Sequence, residues 1–427
     1  MISLLRTERF RRWSPMVAKF FLGQSINQAI GLLTGFLLLR WLSIDDYAQC
    51  SFTLGFQSMI ALLLDMGFSG SIVALVGDRT SDPAVVGAYI STAKYFRRRI
   101  AIGLLPLAAV FFLLTAGKHG WSYSTQFLLY CSAVCSVFAQ GTLSMYTAPL
   151  LISRQPATLQ RWAAIASVGR LLTLAGLHAG SLLNGWMTAW SGTLSTFYAA
   201  VICRRITRAQ VLEPEIPSVE VRRDMVRYLA PLMAGLVFVA FQSQITIFLI
   251  ATFGHNQGIA EVAALGRIGQ LFGLLGSFNG AILQPYIAAR PGGSLWKSYW
   301  LALLVTGSIA GAICTVGCLA PTPLLWLLGP KFSHLSVEMR WMLVASTASY
   351  MGGVMWTMHA ARKWVFWWGT WAYIFLVIAT PIFSSPFIDF GTTRGVVYFS
   401  VISSVVVLGL HISTAIYGFR QNKPLQT

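Results

Sequence analysis

The chain has 427 residues, of which 56% are hydrophobic and only 10% charged, with a mean hydropathy of +0.66. Soluble domains carry roughly 25% charged residues, so this composition excludes an ordinary soluble enzyme. A net charge of +18 would suggest a nucleic-acid partner in a soluble protein; here it reads as loop charge that orients membrane spans, with no nucleic acid expected.

Runs of about 20 apolar residues, the length that crosses a ~30 Å hydrocarbon core, recur along the whole chain. They predict twelve spans, near 15–39, 48–76, 99–116, 121–150, 160–178, 181–203, 228–253, 257–289, 296–319, 335–360, 364–384 and 394–418. The first run is too long, and too rich in Gln and Asn, for a cleaved signal peptide. The expected fold class is an all-α polytopic membrane protein.

Polar residues inside these spans are the candidate site, because a charge in the bilayer costs about 2.5–3.5 kcal/mol on insertion scales. In the first span Lys19 lies near one end, and Gln24, Asn27 and Gln28 follow on one face, continued by Gly31 and Gly35. The second span ends Leu64-Asp65-Met66-Gly67-Phe68, with Gln57 and Ala61 on the face of Asp65. Asp65 reads either as a proton carrier or as half of an ion pair at a helix break. Arg170 sits near the middle of the fifth span, too deep to snorkel. The eighth span carries Glu261, Arg267 and a stripe of Gly266, Gly269, Gly273, Gly276 and Gly280, which predicts close packing or sliding. Glu338 and Arg340 begin the tenth span. Trp364, Trp367, Trp368 and Trp371 suggest an aromatic belt, and the isolated His411 reads as packing. Three embedded bases (Lys19, Arg170, Arg267) against two acids (Asp65, Glu261) favour an anionic substrate, since guanidinium matches phosphate geometry.

Of 31 basic residues, 23 fall in loops on one side, 4 (Arg40, Lys118, Lys331, Arg394) on the other and 4 within spans. Arg97 is counted with Lys94, Arg98 and Arg99 among the loop charges. The positive-inside rule then places both termini in the cytoplasm. The polar stretch 204–227 contains Glu213, Pro214, Glu215 and Pro217 and divides the chain near its midpoint. It reads as a cytoplasmic linker between a six-helix lobe over 1–203 and another over 228–427. Equal halves entering in the same direction predict parallel repeats; a weak match of 47–68 with 259–280 agrees.

The six cysteines form no C-x-x-C and read as small apolar fillers. No P-loop and no zinc pattern occurs, so no cofactor or metal is expected. Asp45-Asp46 in the first external loop has the look of the acidic pair of a membrane glycosyltransferase, but two acids at a helix N-terminus need no further role.

Two segments carry a family resemblance. Arg40-Trp41-Leu42-Ser43-Ile44-Asp45-Asp46-Tyr47-Ala48, followed by Asp65-Met66-Gly67-Phe68-Ser69, and Leu327-Leu328-Gly329-Pro330-Lys331-Phe332 in the second half, resemble Wzx-type polysaccharide flippases of the MOP (MATE-like) exporter superfamily. The resemblance implies two six-helix bundles around a central cavity, in a bacterial inner membrane, not an enzyme. It implies alternating access that moves a polyprenyl-diphosphate-linked oligosaccharide outward, with a polysaccharide polymerase or assembly proteins as candidate partners. Arg170, Arg267 and Lys19 would hold the diphosphate or acidic sugars. Gln24, Asn27 and Gln28 would bond sugar hydroxyls, and Asp65 or Glu261 would couple a proton. The first-span arginines of lipid II flippases are absent, as is the first-span acid of drug-exporting relatives. A cation-coupled small-molecule exporter, a glycosyltransferase or ligase, and a non-transporting scaffold remain the alternatives.

Overall fold

A computed structural model describes residues 23–76, 82–152, 156–214, 216–279, 283–288, 290, 292–362, 364 and 366–421, and they are almost wholly helical. In chain order the helices are α1 (23–41), α2 (Ile44–Asp65), α3 (Phe68–Val76), α4 (Pro83–Lys118), α5 (Tyr123–Ile152), α6 (Pro156–Ala179) and α7 (Gly185–Thr207). They continue as α8 (Val219–Gln242), α9 (Ile245–Phe253), α10 (Asn256–Phe278), α11 (Gln284–Ala288), α12 (Gly292–Leu319), α13 (Thr322–Leu328), α14 (Ser336–Arg362), α15 (Trp367–Ser384) and α16 (Thr393–Gln421). Among the described residues, each of the twelve expected spans falls on one helix or an adjacent pair. Among the described residues, seven segments are long and apolar enough to cross a membrane, or eight if α8, bent by 62°, is one span. Pro231 follows the first arm of that bend, and a proline withholds one helical N–H.

Local chemistry sets the helix ends. Ser43 caps α2, its Oγ accepting from the Asp46 amide at 3.0 Å, and Asp46 Oδ2 in turn accepts from the Ser43 hydroxyl at 2.6 Å. Asp82 caps α4 with Pro83 at the first position, its Oδ1 accepting from Ala84 N at 2.9 Å. That start lies well before the expected 99, so α4 runs 36 residues, about 54 Å at 1.5 Å per residue. It exceeds the hydrocarbon thickness and takes Lys94 and Arg97–Arg99 into the helix. Between α2 and α3 the chain turns at Met66 (φ 38°) and Gly67 (φ 81°). The positive φ favours glycine at 67, and a Cβ there would also press on Leu236 Cδ1 at 3.0 Å.

The chain divides into two compact units. The first comprises the described residues up to Thr34 and then Trp41–Ile245; the second comprises Gly35–Arg40 and the chain from Thr246 onward. In the first, Phe68, Ile72, Ile90, Tyr146, Met225 and Leu229 form one buried cluster. Phe52, Phe56, Phe112, Trp121 and Tyr130 interleave as a second, aromatic one. The stretch 204–227 is the end of α7, one 3-10 turn (Arg208–Gln210), an extended piece and the start of α8.

In the second unit the core gathers Tyr299, Met355, Met358 and Trp364. Trp364 thus leaves the expected aromatic belt: it is buried against Phe419 and over Gly418, where a Cβ would meet its ring at 2.5–2.9 Å. Trp367 and Trp371 remain exposed, as a belt requires. His411 is not alone either, its ring lying 5.8 Å from that of His359, which bonds the Tyr299 hydroxyl at 3.0 Å. Arg40 belongs to this unit: it donates to Trp326 O at 2.5 Å and lies over its ring, and Lys331 donates to Arg40 O at 3.3 Å.

Candidate functional site

The candidate residues of the first span have a partner that sequence reading missed. Asn27 Nδ2 donates to Gln160 Oε1 at 2.7 Å, and Gln160 Nε2 donates to Gln24 Oε1 at 2.9 Å. α1 and α6 are thereby tied by an amide chain across 133 residues of sequence. Gly23 makes the approach possible, because a Cβ there would lie 2.7 Å from Gln160 Cβ. Asn27 Oδ1 is buried and accepts no hydrogen bond among the described residues. Gln28 flanks this cluster. Lys19 lies outside the described residues.

Asp65, the second candidate, ends α2 and is held by the start of α3 and by α4. Its Oδ1 accepts from Ser69 Oγ and lies 3.8 Å from Arg97 Nη1. Arg97 corrects the sequence reading: it is no loop charge but is 5% exposed, and its Nη2 donates to Val137 O of α5. Gly141 supplies the space, since a Cβ there would fall onto the guanidinium. The signal was present in the sequence. Val86, Ile90, Ala93, Arg97, Ala101 and Ala108 recur at helical spacing, and all are buried.

Arg170 lies past the middle of α6, facing α7 where Gly192 leaves room; a Cβ on Gly192 would be 3.2 Å from Arg170 Nη2. In the second unit Arg267 has the same arrangement. It sits midway along α10, donates from Nη1 to Gln270 Oε1 at 3.2 Å, and lies against Gly35, whose Cβ would be 3.2–3.3 Å from its side chain. Of the glycine stripe on α10, Gly269 packs closely, toward Ser346 Oγ of α14, while Gly266, Gly273 and Gly276 face open space. Glu261 is 7% exposed and fully engaged. Its Oε1 contacts Gln257 Nε2 at 2.8 Å and His334 Nε2 at 2.9 Å, and its Oε2 accepts from Thr393 at 2.5 Å. Glu338 pairs with Arg394 at 2.9 Å.

Asp46, half of the acidic pair, is structural: its Oδ1 accepts from Gly185 N at 2.8 Å at the start of α7, while its Oδ2 serves the α2 cap. Among the described residues no group of three or more His, Cys, Asp or Glu is placed to hold a metal.

At the arginine-rich end of the first unit, Glu213 binds the segment before α8 to α4 and α5. Lys94 Nζ lies 2.5 Å from Glu213 Oε2 and 2.7 Å from Tyr146 Oη, and that hydroxyl donates to Glu213 Oε1. Leu212 N donates to Pro83 O at 3.0 Å, and Gly87 lets the Leu212 carbonyl approach α4. Burial pulls the Glu213 carboxyl up, but the Lys94 and Tyr146 hydrogen bonds and the charges of Lys94 and Arg204 prevail and hold it below its usual range. A depressed acid stabilises above its unfolded pKa, and that contribution fades as pH falls through the folded value. The strap is therefore held at neutral pH and released in acid. Glu213→Gln is expected to raise protease cleavage within 208–217 at pH 7 above that of the unaltered protein; equal rates in both proteins at pH 7 would refute the strap.

No family model matches the chain, and no curated protein matches it in sequence. Solved structures do. An inward-facing multidrug resistance MATE transporter of the MOP superfamily aligns with TM-score 0.68 and 15% identity over 95% of this chain and 96% of its own. An outward-facing one aligns at 0.63 and 15%, covering 95% of each. A Pyrococcus furiosus MOP superfamily transporter, whose reversed pocket polarity suggests a different function for it, aligns at 0.61 and 16% over 96% of each. All three are transporters, not enzymes, and the chain has the fold of the MATE-type transporters of the MOP superfamily.

Proposed function

We propose that this protein is a flippase that moves a polyprenyl-diphosphate-linked oligosaccharide across a bacterial cytoplasmic membrane by alternating access. The observation that carries this reading is the disposition of embedded charge. Each unit places an arginine, Arg170 or Arg267, mid-helix against a glycine of another helix. Each embedded acid is held by donors of its own unit, Asp65 by Arg97 and Ser69, Glu261 by His334, Gln257 and Thr393. Such a balance suits an anion, and guanidinium stays charged when desolvated. Arg170, Arg267 and Lys19 bind the diphosphate or acidic sugars. Gln24, Asn27 and Gln28 serve sugar hydroxyls, with Gln160 setting the orientation of the first two. Asp65 and Glu261 are the groups through which a proton would couple, although an anion leaving a negative interior already gains about 2.3 kcal/mol per charge per 100 mV.

Cells depleted of the protein are expected to accumulate complete lipid-linked oligosaccharide that an impermeant sugar-modifying reagent cannot reach. Intact surface polysaccharide with no accumulation would overturn the proposal. It would favour the second reading, a cation-coupled small-molecule exporter, which the likeness to multidrug transporters supports.

A further inference from the structure

The start of α8 and the middle of α4 enclose an open groove of about 730 Å³, lined by Tyr95, Phe96, Val219, Arg222, Arg223, Val226 and Arg227. It belongs wholly to the first unit. On α8 the residues at 219, 222, 223, 226 and 227 share one face, while Met225 and Leu229 turn into the core. The groove is therefore apolar at its floor and cationic at its rim. Arg222 and Arg99 both lie over the ring of Tyr95, at 5.2 and 5.1 Å. Among the described residues Arg222, Arg223 and Arg227 make no ion pair. Arg222 Nε is buried and has no hydrogen-bond acceptor.

Three arginines outside any ion pair among the described residues, one holding a buried donor over an apolar floor, suit an occupant with an anionic head and an apolar body. The groove lies at the end of the unit where the loop arginines gather, the end that the positive-inside rule assigns to a headgroup region. We propose that it is a binding site for an anionic phospholipid, the phosphate seated among Arg222, Arg223 and Arg227 and the acyl chains lying along Phe96, Val219 and Val226. Tyr95 orders the guanidinium of Arg222 by stacking, which lowers the entropy lost when the fork closes on a phosphate. This site shares no residue with the transport residues proposed above, and its test does not depend on them.

The test uses the full chain in a neutral detergent, titrated with phosphatidylglycerol, with phosphatidylcholine and with inorganic phosphate, and read by thermal unfolding. Phosphatidylglycerol alone should raise the midpoint. The variant R222Q/R223Q/R227Q should need about a hundredfold more of it, the summed contribution of three arginines near an anionic surface. Arg223 is exposed, so Arg223→Glu provides a variant that leaves the packing of the fold alone, with a smaller loss in the same direction; Arg420→Gln, distant in sequence, should change nothing. Equal shifts with phosphatidylcholine, or an unchanged response in both groove variants, would overturn the site. A full response to inorganic phosphate would overturn its assignment to lipid.

Discussion

Arg170→Ala is expected to abolish export of lipid-linked sugar while leaving the protein in the membrane at its normal level. The two halves of that expectation have separate causes. A charge at mid-span is unfavourable for insertion, so removing it does not impair assembly. A hydrogen bond to a charged group contributes about 1.5–3 kcal/mol, which is about a 10- to 150-fold loss of affinity for an anionic group. Arg170→Lys should recover part of the activity, because it keeps the charge but loses the planar fork. Leaflet-specific labelling of the sugar, with immunoblotting of the membrane fraction, measures both. Full transport by Arg170→Ala would remove Arg170 from the substrate path.

The largest effect on stability is expected at Arg97. Arg97→Ala leaves Asp65 with Ser69 but without its cation, and leaves the Val137 carbonyl without that donor. Breaking a buried pair from one side costs about 3–5 kcal/mol. The lower end applies here, since Asp65 keeps 25% of its side-chain surface and the ions lie 3.8 Å apart. Gly141→Val should destabilise by a different route, driving a side chain into the space of the guanidinium. The double variant D65N/R97M should recover much of the loss, because removing both charges also removes the unpaired one. Thermal unfolding of the unaltered protein, D65N, R97M and D65N/R97M in detergent forms the cycle. Additive losses in D65N/R97M would mean that the two residues do not interact.

How far the residues themselves foretold these features depends on the range of the interaction. The spans were legible because burial in hydrocarbon demands about 20 apolar residues wherever they stand. The helix break beside Asp65 and the helix start at Asp45-Asp46 were legible too, since both are set within four residues; the Asp82-Pro83 start of α4 is equally local but was passed over for 99. Arg97 was misread because a run of three bases looks like a loop, although its four-residue spacing from Ala93 and Ala101 placed it on the buried stripe of α4.

Gln160 could not have been found as the partner of Asn27 from spacing at all, being 133 positions away. Nor could the meeting of Arg40 with Trp326, 286 positions apart. The amino-acid sequence alone determined that this chain crosses a membrane, roughly where its spans lie along the chain, and that its embedded charge leans basic. These follow from desolvation and from hydrogen bonds within one helical turn. Only the tertiary structure decided which acid is paired, which glycine makes room for which arginine, and where the arginines of α8 line a groove. Those outcomes depend on which helices pack side by side, and in a chain of uniformly apolar helices the hydrophobic pattern does not specify the neighbour.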